Sequence, residues 1–177
     1  MPTTSPSSPL MCDTRQQAGK HLNIDRWLDA HGVAYEYKKL DFGDYAVDWS
    51  NIAVDTKQGM DELAGDLGRD HERFARECDR ARDAGWRLVI LVEEHPEYQD
   101  DRASIARWRP YPCRRCGWCE PAVSMGCVRR ERKPMQGSTL LKIMEGMERG
   151  HGVRFEFCSR EGTARRVCEL LGVELDG

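Results

Sequence analysis

Two aspartates and a lysine give this sequence its clearest chemistry. In Gly43-Asp44-Tyr45-Ala46-Val47 … Ile52-Ala53-Val54-Asp55-Thr56-Lys57, two extended runs flank the polar turn Asp48-Trp49-Ser50-Asn51. A turn centred between Trp49 and Ser50 opposes Asp44 to Asp55, Tyr45 to Val54, Ala46 to Ala53 and Val47 to Ile52. Side chains alternate across a strand. Tyr45, Val47, Ile52 and Val54 then make a core face, and Asp44 and Asp55 stand on the other face over Ala46 and Ala53. Lys57 joins the two acids two residues on. Carboxylates opposed at about 5 Å repel and weaken a sheet, and a bound divalent cation reverses that penalty. Mg²⁺ (or Mn²⁺) suits such a pair, because it takes one or two carboxylates and keeps waters that a phosphate can replace. A lysine beside it could orient or deprotonate a water and stabilise charge on the phosphate. The plain alternative is a solvated hairpin face with scattered charges.

A second constellation is Cys113-x-x-Cys116-x-x-Cys119-x7-Cys127, four of the eight cysteines within fifteen residues. Tetrahedral zinc takes four thiolates, and two-residue gaps let one turn present successive ligands. Structural Zn²⁺ is the preferred reading, since a segment poor in apolar residues needs a staple. An iron–sulfur cluster, a redox set and free thiols stay open. Cys12, Cys78, Cys158 and Cys168 sit in periodic patterns and read as core. His21, His31, His71, His95 and His151 have no ligand spacing and read as surface or helix-end residues.

The elements that must position these groups follow from periodicity. A strand ends near Met11-Cys12-Asp13, and a helix runs from about Lys20 to Ala30 with Leu22, Trp27 and Leu28 as its apolar side. Residues 33–38 form a strand (Val33, Tyr35, Tyr37), and the hairpin strands span about 44–48 and 51–57. A helix carries the buried stripe Phe74, Cys78 and Ala81 beside a basic stripe of Arg69, Arg73, Arg76 and Arg80, and Gly85 ends it. Leu88–Val92 reads as a strand covered on both faces. Periodicity stops from about 95 to 136, which looks like a Cys/Arg-rich insertion. A helix over Thr139–Arg149, a strand over 153–157 and a helix from Ser159 to Gly172 complete an α/β domain, a mixed sheet flanked by helices.

The bulk numbers agree with this. At 177 residues the chain suits one domain after a disordered tail at 1–9, and 40% hydrophobic with 32% charged residues reads as a soluble globule. No apolar run nears the roughly 18 residues of a membrane span, and no secretory signal is present, so a cytoplasmic setting in a bacterial or phage-infected cell is expected. The net charge is −3, yet between Arg102 and Lys133 nine basic residues face two acids. A local basic block on an acidic chain points to a phosphate-rich partner. Arg107, Arg114, Arg115, Arg129, Arg130, Arg132 and Lys133 would grip DNA there, or form a merely solvated loop. Trp108 and Trp118 suit stacking on an unpaired base or capping of a small local core.

At these residues the chain resembles the nuclease domain of the XPF-type excision-repair endonucleases, a branch of the restriction-endonuclease-like PD-(D/E)XK superfamily. That family has Gly-Asp, a spacer, Glu-Arg-Lys, three residues and Asp, matched by Gly43-Asp44, Asp55-Thr56-Lys57 and Asp61. Its opening Asp-x-Arg-Glu is matched by Asp13-Thr14-Arg15-Gln16, and its Arg-Leu-x-x-Gln helix by Arg73-Phe74-Ala75-Arg76-Glu77. The resemblance covers about 10–94, and the elements at 138–171 fit it. It implies a restriction-endonuclease-like fold and a metal-dependent DNA endonuclease. Asp44 and Asp55 would hold Mg²⁺, Lys57 would be catalytic, and Asp13 and Asp61 would be supporting acids. Arg15 and Arg73 would contact DNA.

Aspartate replaces the family's central glutamate at 55, and Gln16 and Glu77 replace its glutamate and glutamine. A stand-alone domain without a helicase or tandem helix-hairpin-helix module is expected, and in that the chain looks like the small phage and bacterial members. The leading expectation is cleavage of branched, flapped or nicked DNA in recombination or repair. The rival is a non-catalytic, zinc-stapled DNA-binding module on the same fold, favoured by Gln16. Members of the family pair through this domain, so a homodimer is conceivable, and Leu140, Met144 and Met147 suit either a dimer face or the core.

Overall fold

The structure, a computed structural model, describes residues 8–16, 19, 21–120 and 123–175. The expected helix start at Lys20 and residues 1–7 of the expected tail lie outside the described residues. Six strands form one mixed sheet: β1 (Leu10–Asp13), β2 (Tyr35–Lys38), β3 (Tyr45–Ala46), β4 (Ile52–Lys57), β5 (Arg87–Val92) and β6 (Arg154–Phe157). Their spatial order is β2-β1-β3-β4-β5-β6. The β1–β2, β4–β5 and β5–β6 pairs are parallel, and β3 runs antiparallel to both β1 and β4. The α/β class and the restriction-endonuclease-like layering expected from the sequence are present.

Each face of the sheet carries its own apolar core. On one, Ala53, Leu88, Ile90, Val92, Phe155 and Phe157 meet the helices α2 (Met60–Leu67), α3 (His71–Asp83) and α5 (Gly137–His151). On the other, Tyr45, Val47, Val54, Val89 and Leu91 meet α1 (Leu22–Ala30) and α6 (Thr163–Leu171). Strand β5 feeds both, which is why Leu88-Val89-Ile90-Leu91-Val92 has no polar alternation. In α3, Phe74, Cys78 and Ala81 are buried at spacings of four and three, with Glu72 in the first turn and Arg80 and Arg82 in the last. Those charges complement the helix dipole. Among the described residues no helix is long and apolar enough to cross a membrane.

Several expectations change. Leu22 is exposed, and Ile24 with Leu28 forms the buried side of α1. Strand β2 starts at Tyr35 rather than 33, lies at the sheet edge and leaves Tyr37 exposed. The separate helix α2 precedes α3, where one helix was expected. The 95–136 segment is not devoid of structure. It holds two 3-10 turns (Pro96–Gln99 and Arg102–Arg107) and the four-residue α4 (Tyr111–Arg114). Tyr98, Ile105 and Trp108 from it are buried in the first core. Trp108 is therefore a packing residue and not a stacking platform. Leu140, Met144 and Met147 face this same core, so that side of α5 is used within the chain. His21 stands at the start of α1, one of its two expected placements, and is buried there with Nδ1 2.5 Å from the Tyr45 hydroxyl.

Candidate active site

The site begins with a glycine that cannot be replaced freely. Gly43 has φ +65°, and a Cβ there would press on the Val54 backbone at 2.9 Å. It turns the chain into β3, whose ladder keeps the expected register at Tyr45↔Val54 and Ala46↔Ala53. The other two expected pairs fall outside the ladder, because β3 is only two residues long. Asp44 is not set squarely opposite Asp55. Its amide donates to Val54 O at 2.7 Å, and its Oδ2 accepts from the Thr56 amide at 2.9 Å and the Thr56 hydroxyl at 2.7 Å. Thr56 is buried, so the Asp44 carboxylate is held by a fixed donor pair.

Asp55 and Lys57 share the β4 face that carries Ala53, beneath α2 and α3. Lys57 Nζ lies 3.1 Å from Asp55 Oδ2 and 3.0 Å from Asp66 Oδ2, with both partners mostly shielded. Asp66 is the residue that sequence reasoning missed. A usable signal existed: it stands three residues after Leu63 and one before Leu67, on the border of α2's buried stripe. Arg73 approaches the other Asp66 oxygen at 3.8 Å.

The electrostatics of this group are uneven. Burial raises the Asp55 carboxyl from 3.8 to about 7, with Asp44 and Glu77 adding to the rise and Lys57 opposing it. Lys57 is held in its charged form by Asp55 and Asp66 against the effect of burial. Glu77, where the family pattern has glutamine, thus adds negative potential at the site. Beside it, Arg73, Arg76, Glu77 and Arg80 line an open recess of about 300 Å³.

The two supporting acids expected from the sequence are placed differently. Asp13 is buried at the end of β1, accepting from Arg15 Nε at 2.9 Å and the Leu40 amide at 3.0 Å. Its carboxylate pins a loop, and its amide donates to Asp44 O at 2.8 Å, so it neighbours the site through backbone. Asp61 turns to α4, accepting from the Tyr111 amide and Arg114, each at 2.8 Å. Arg15 and Arg114 are thus engaged by acids, and Arg107 lies 3.9 Å from Asp101. Lys133 donates to Ser124 O. Among the described residues no acid pairs with Arg115, Arg129, Arg130 or Arg132, and all four are exposed.

The donor set fits a hard divalent cation. Thr56 holds Asp44 by Oδ2, and Lys57 approaches Asp55 on Oδ2. Two carboxylates, one of them desolvated beside further acids, are what a partly hydrated Mg²⁺ takes. No closed cage exists: among the described residues no three His, Cys, Asp or Glu side chains converge as a metal site. That holds for the cysteine constellation as well. Cys113 is buried with Sγ 3.5 Å from Gln136 Nε2, whereas Cys116, Cys119 and Cys127 are half-buried and all four are unpaired. The core cysteines are a distinct class, since burial pushes the Cys12 and Cys78 thiols up to about 12. They remain thiols at neutral pH.

A sequence model of the family described as the ERCC4 domain matches residues 12–161, from the end of β1 through β6, and includes the candidate site. No curated protein matches the chain.

Proposed function

The chain belongs to the ERCC4-domain family, an XPF-type nuclease domain, and on that premise we propose that it is a Mg²⁺-dependent DNA endonuclease with its active site at Asp44, Asp55 and Lys57. The observation that carries the reading is the grouping at one end of the sheet of a hydrogen-bonded carboxylate, a desolvated carboxylate that feels its charge, and a largely shielded, charged lysine.

Asp44 and Asp55 would hold the cation. The metal, when bound, supplies a Lewis acid for the phosphate and lowers the pKa of a nucleophilic water. Thr56 fixes the Asp44 carboxylate before substrate arrives, which saves reorganisation at the reacting centre. Lys57 keeps its proton between Asp55 and Asp66, so it acts as a fixed positive charge toward the phosphate and not as a base. Asp13 and Asp61 are positioning acids. Arg73, Arg76 and Arg80 on α3 lead the DNA backbone to the site, and such contacts set affinity and register rather than sequence choice. Residues 10–177 are read as one nuclease domain, with 95–136 as a Cys/Arg-rich arm stapled by Zn²⁺ at Cys113, Cys116, Cys119 and Cys127. Branched, flapped or nicked DNA is the proposed substrate.

The test incubates wild type and Asp55→Ala with labelled duplex, nicked and branched DNA in Mg²⁺, Mn²⁺ and EDTA. Expected is cleavage that needs the metal and is lost in Asp55→Ala. No cleavage by the wild type, or cleavage that survives the substitution, would overturn the reading.

A further inference from the structure

The basic segment after β5 contains a cleft that the site above does not use. Tyr111, Pro112, Arg115, Cys116, Arg129 and Arg130 line a cavity of about 630 Å³, and none of the six is acidic. Two aromatic rings mark this region. Tyr111 is 52% exposed, and Trp118 nearby in the chain is 69% exposed. Large rings left this open in a folded chain signal a binding surface when they are grouped and rimmed by charge.

Both rings are already arranged with guanidinium groups. Arg114 and Arg115 stand 5.7 and 5.5 Å from the Tyr111 centroid, and Arg115 also donates to the Tyr111 hydroxyl at 2.6 Å. Arg129 lies 5.2 Å from the Trp118 centroid. Each aromatic face therefore has a cation at hand that has no acid partner among the described residues or, for Arg114, is tied to Asp61. That combination offers a π-face for a base and a positive group for the adjoining phosphate. Duplex DNA stacks its own bases internally and presents phosphates, so it gains little from exposed rings. Unpaired nucleotides gain from both.

The cleft is also fixed relative to the candidate site. Asp61, in the first turn of α2, binds the first residue of α4 through its amide and Arg114 through its guanidinium. Helix α2 leaves β4 only three residues after Lys57. One short helix thus connects the lysine to the wall of the cleft.

We propose that this cleft is a subsite for an unpaired DNA strand, with Tyr111 and Trp118 stacking on bases and Arg115, Arg129 and Arg130 taking the phosphates between them. This rests on the nuclease reading for the identity of the polymer. It assigns recognition of the single-stranded part of a substrate to the basic segment, separate from the metal-dependent chemistry at Asp55.

Fluorescence anisotropy in Ca²⁺ and without chelator, on an Asp55→Ala background, tests it without cleavage, using one labelled duplex with a blunt end and the same duplex with an oligo-dT tail. This parent binds the tailed form more tightly. Trp118→Ala and Tyr111→Ala each weaken tailed binding about tenfold and leave blunt binding unchanged. Trp118→Phe and Tyr111→Phe, which keep a ring, retain the preference. Trp118 is so exposed that its truncation leaves the fold intact, so its result stands even if Tyr111→Ala fails to fold. Equal parent affinity for the two probes overturns the proposal, as does an equal loss on both, which would make the cleft a phosphate contact alone. If tail preference holds while Asp55-dependent cleavage is absent, the nuclease reading falls and the subsite stands. If cleavage is present and tail preference absent, the subsite falls alone.

Discussion

Lys57 Nζ and Asp66 Oδ2 stand 3.0 Å apart although one belongs to the sheet and the other to the helix that leaves it. With Asp55 on its other side, the lysine is aimed from two directions, and rotation away from the carboxylates would strand a buried charge.

Asp66→Asn should therefore slow cleavage by roughly tenfold or more, in the range seen when groups that orient a site are removed. Single-turnover rates in Mg²⁺ measure it, with DNA affinity in EDTA as the control that should not move. An unchanged rate would remove Asp66 from the site.

Protonation of Asp55 gives a signed pH prediction. Its folded-state carboxyl titrates at about 7 against 3.8 when unperturbed. Across that interval the folded chain keeps a proton that the unfolded chain has lost, so this group's contribution to stability falls as pH rises. A cation at Asp44 and Asp55 competes with the same proton. The rise in Tm on adding Mg²⁺ or Mn²⁺ should be larger near pH 8 than near about pH 6, and Asp55→Asn should flatten the difference. Equal gains at both pH values in the wild type would contradict the assignment.

Gly43→Ala should destabilise the fold by about 1–3 kcal/mol, from the left-handed backbone and the collision with Val54. Thermal unfolding in EDTA reads this cost. Cleavage should drop further than stability alone explains, because Asp44 moves with residue 43. Wild-type Tm in the variant would show that the turn tolerates a side chain.

Elemental analysis should find zinc near one per chain, lost on substituting Cys116 or Cys119 by serine. Chelation should then open the segment around Cys113–Cys127 to protease while the sheet stays protected. A metal-free preparation whose 113–127 segment stays protected from protease would refute the staple.

The hairpin was legible because a strand's two-residue period and a small turn leave few registers, and Tyr45↔Val54 pairs as the alternation requires. The buried stripe of α3 and the run through β5 were legible for the same reason, being dominated by one period. What escaped the sequence was tertiary. Asp66 reaches Lys57 only because α2 folds back over β4, and Asp61 faces α4 because residue 111 arrives there from fifty positions away. Neither fact leaves a local pattern. Trp108 had two readings, stacking on a base or filling a core, and the choice between them was tertiary too: residues 105 and 108 fill the floor beneath α5. There Gly137 is obligatory, since a Cβ would strike Ile105 O. His21 stands at a helix end, as its place before α1 allowed, but its burial against Tyr45, 24 residues on, leaves no local pattern.

Asp44 also has a second employment, in its main chain. Its carbonyl accepts from Asp13 and its amide donates to Val54, extending by one rung the two-residue β3 that joins β1 and β2 to the rest of the sheet. The residue is thus a rivet as well as a ligand. Replacing its side chain leaves the rivet in place, whereas deleting or inserting a residue at 43–44 pulls it out. Asp44→Asn should therefore yield a well-folded, catalytically silent protein suited to trapping bound DNA, while a one-residue length change at the same spot should part the sheet along this seam.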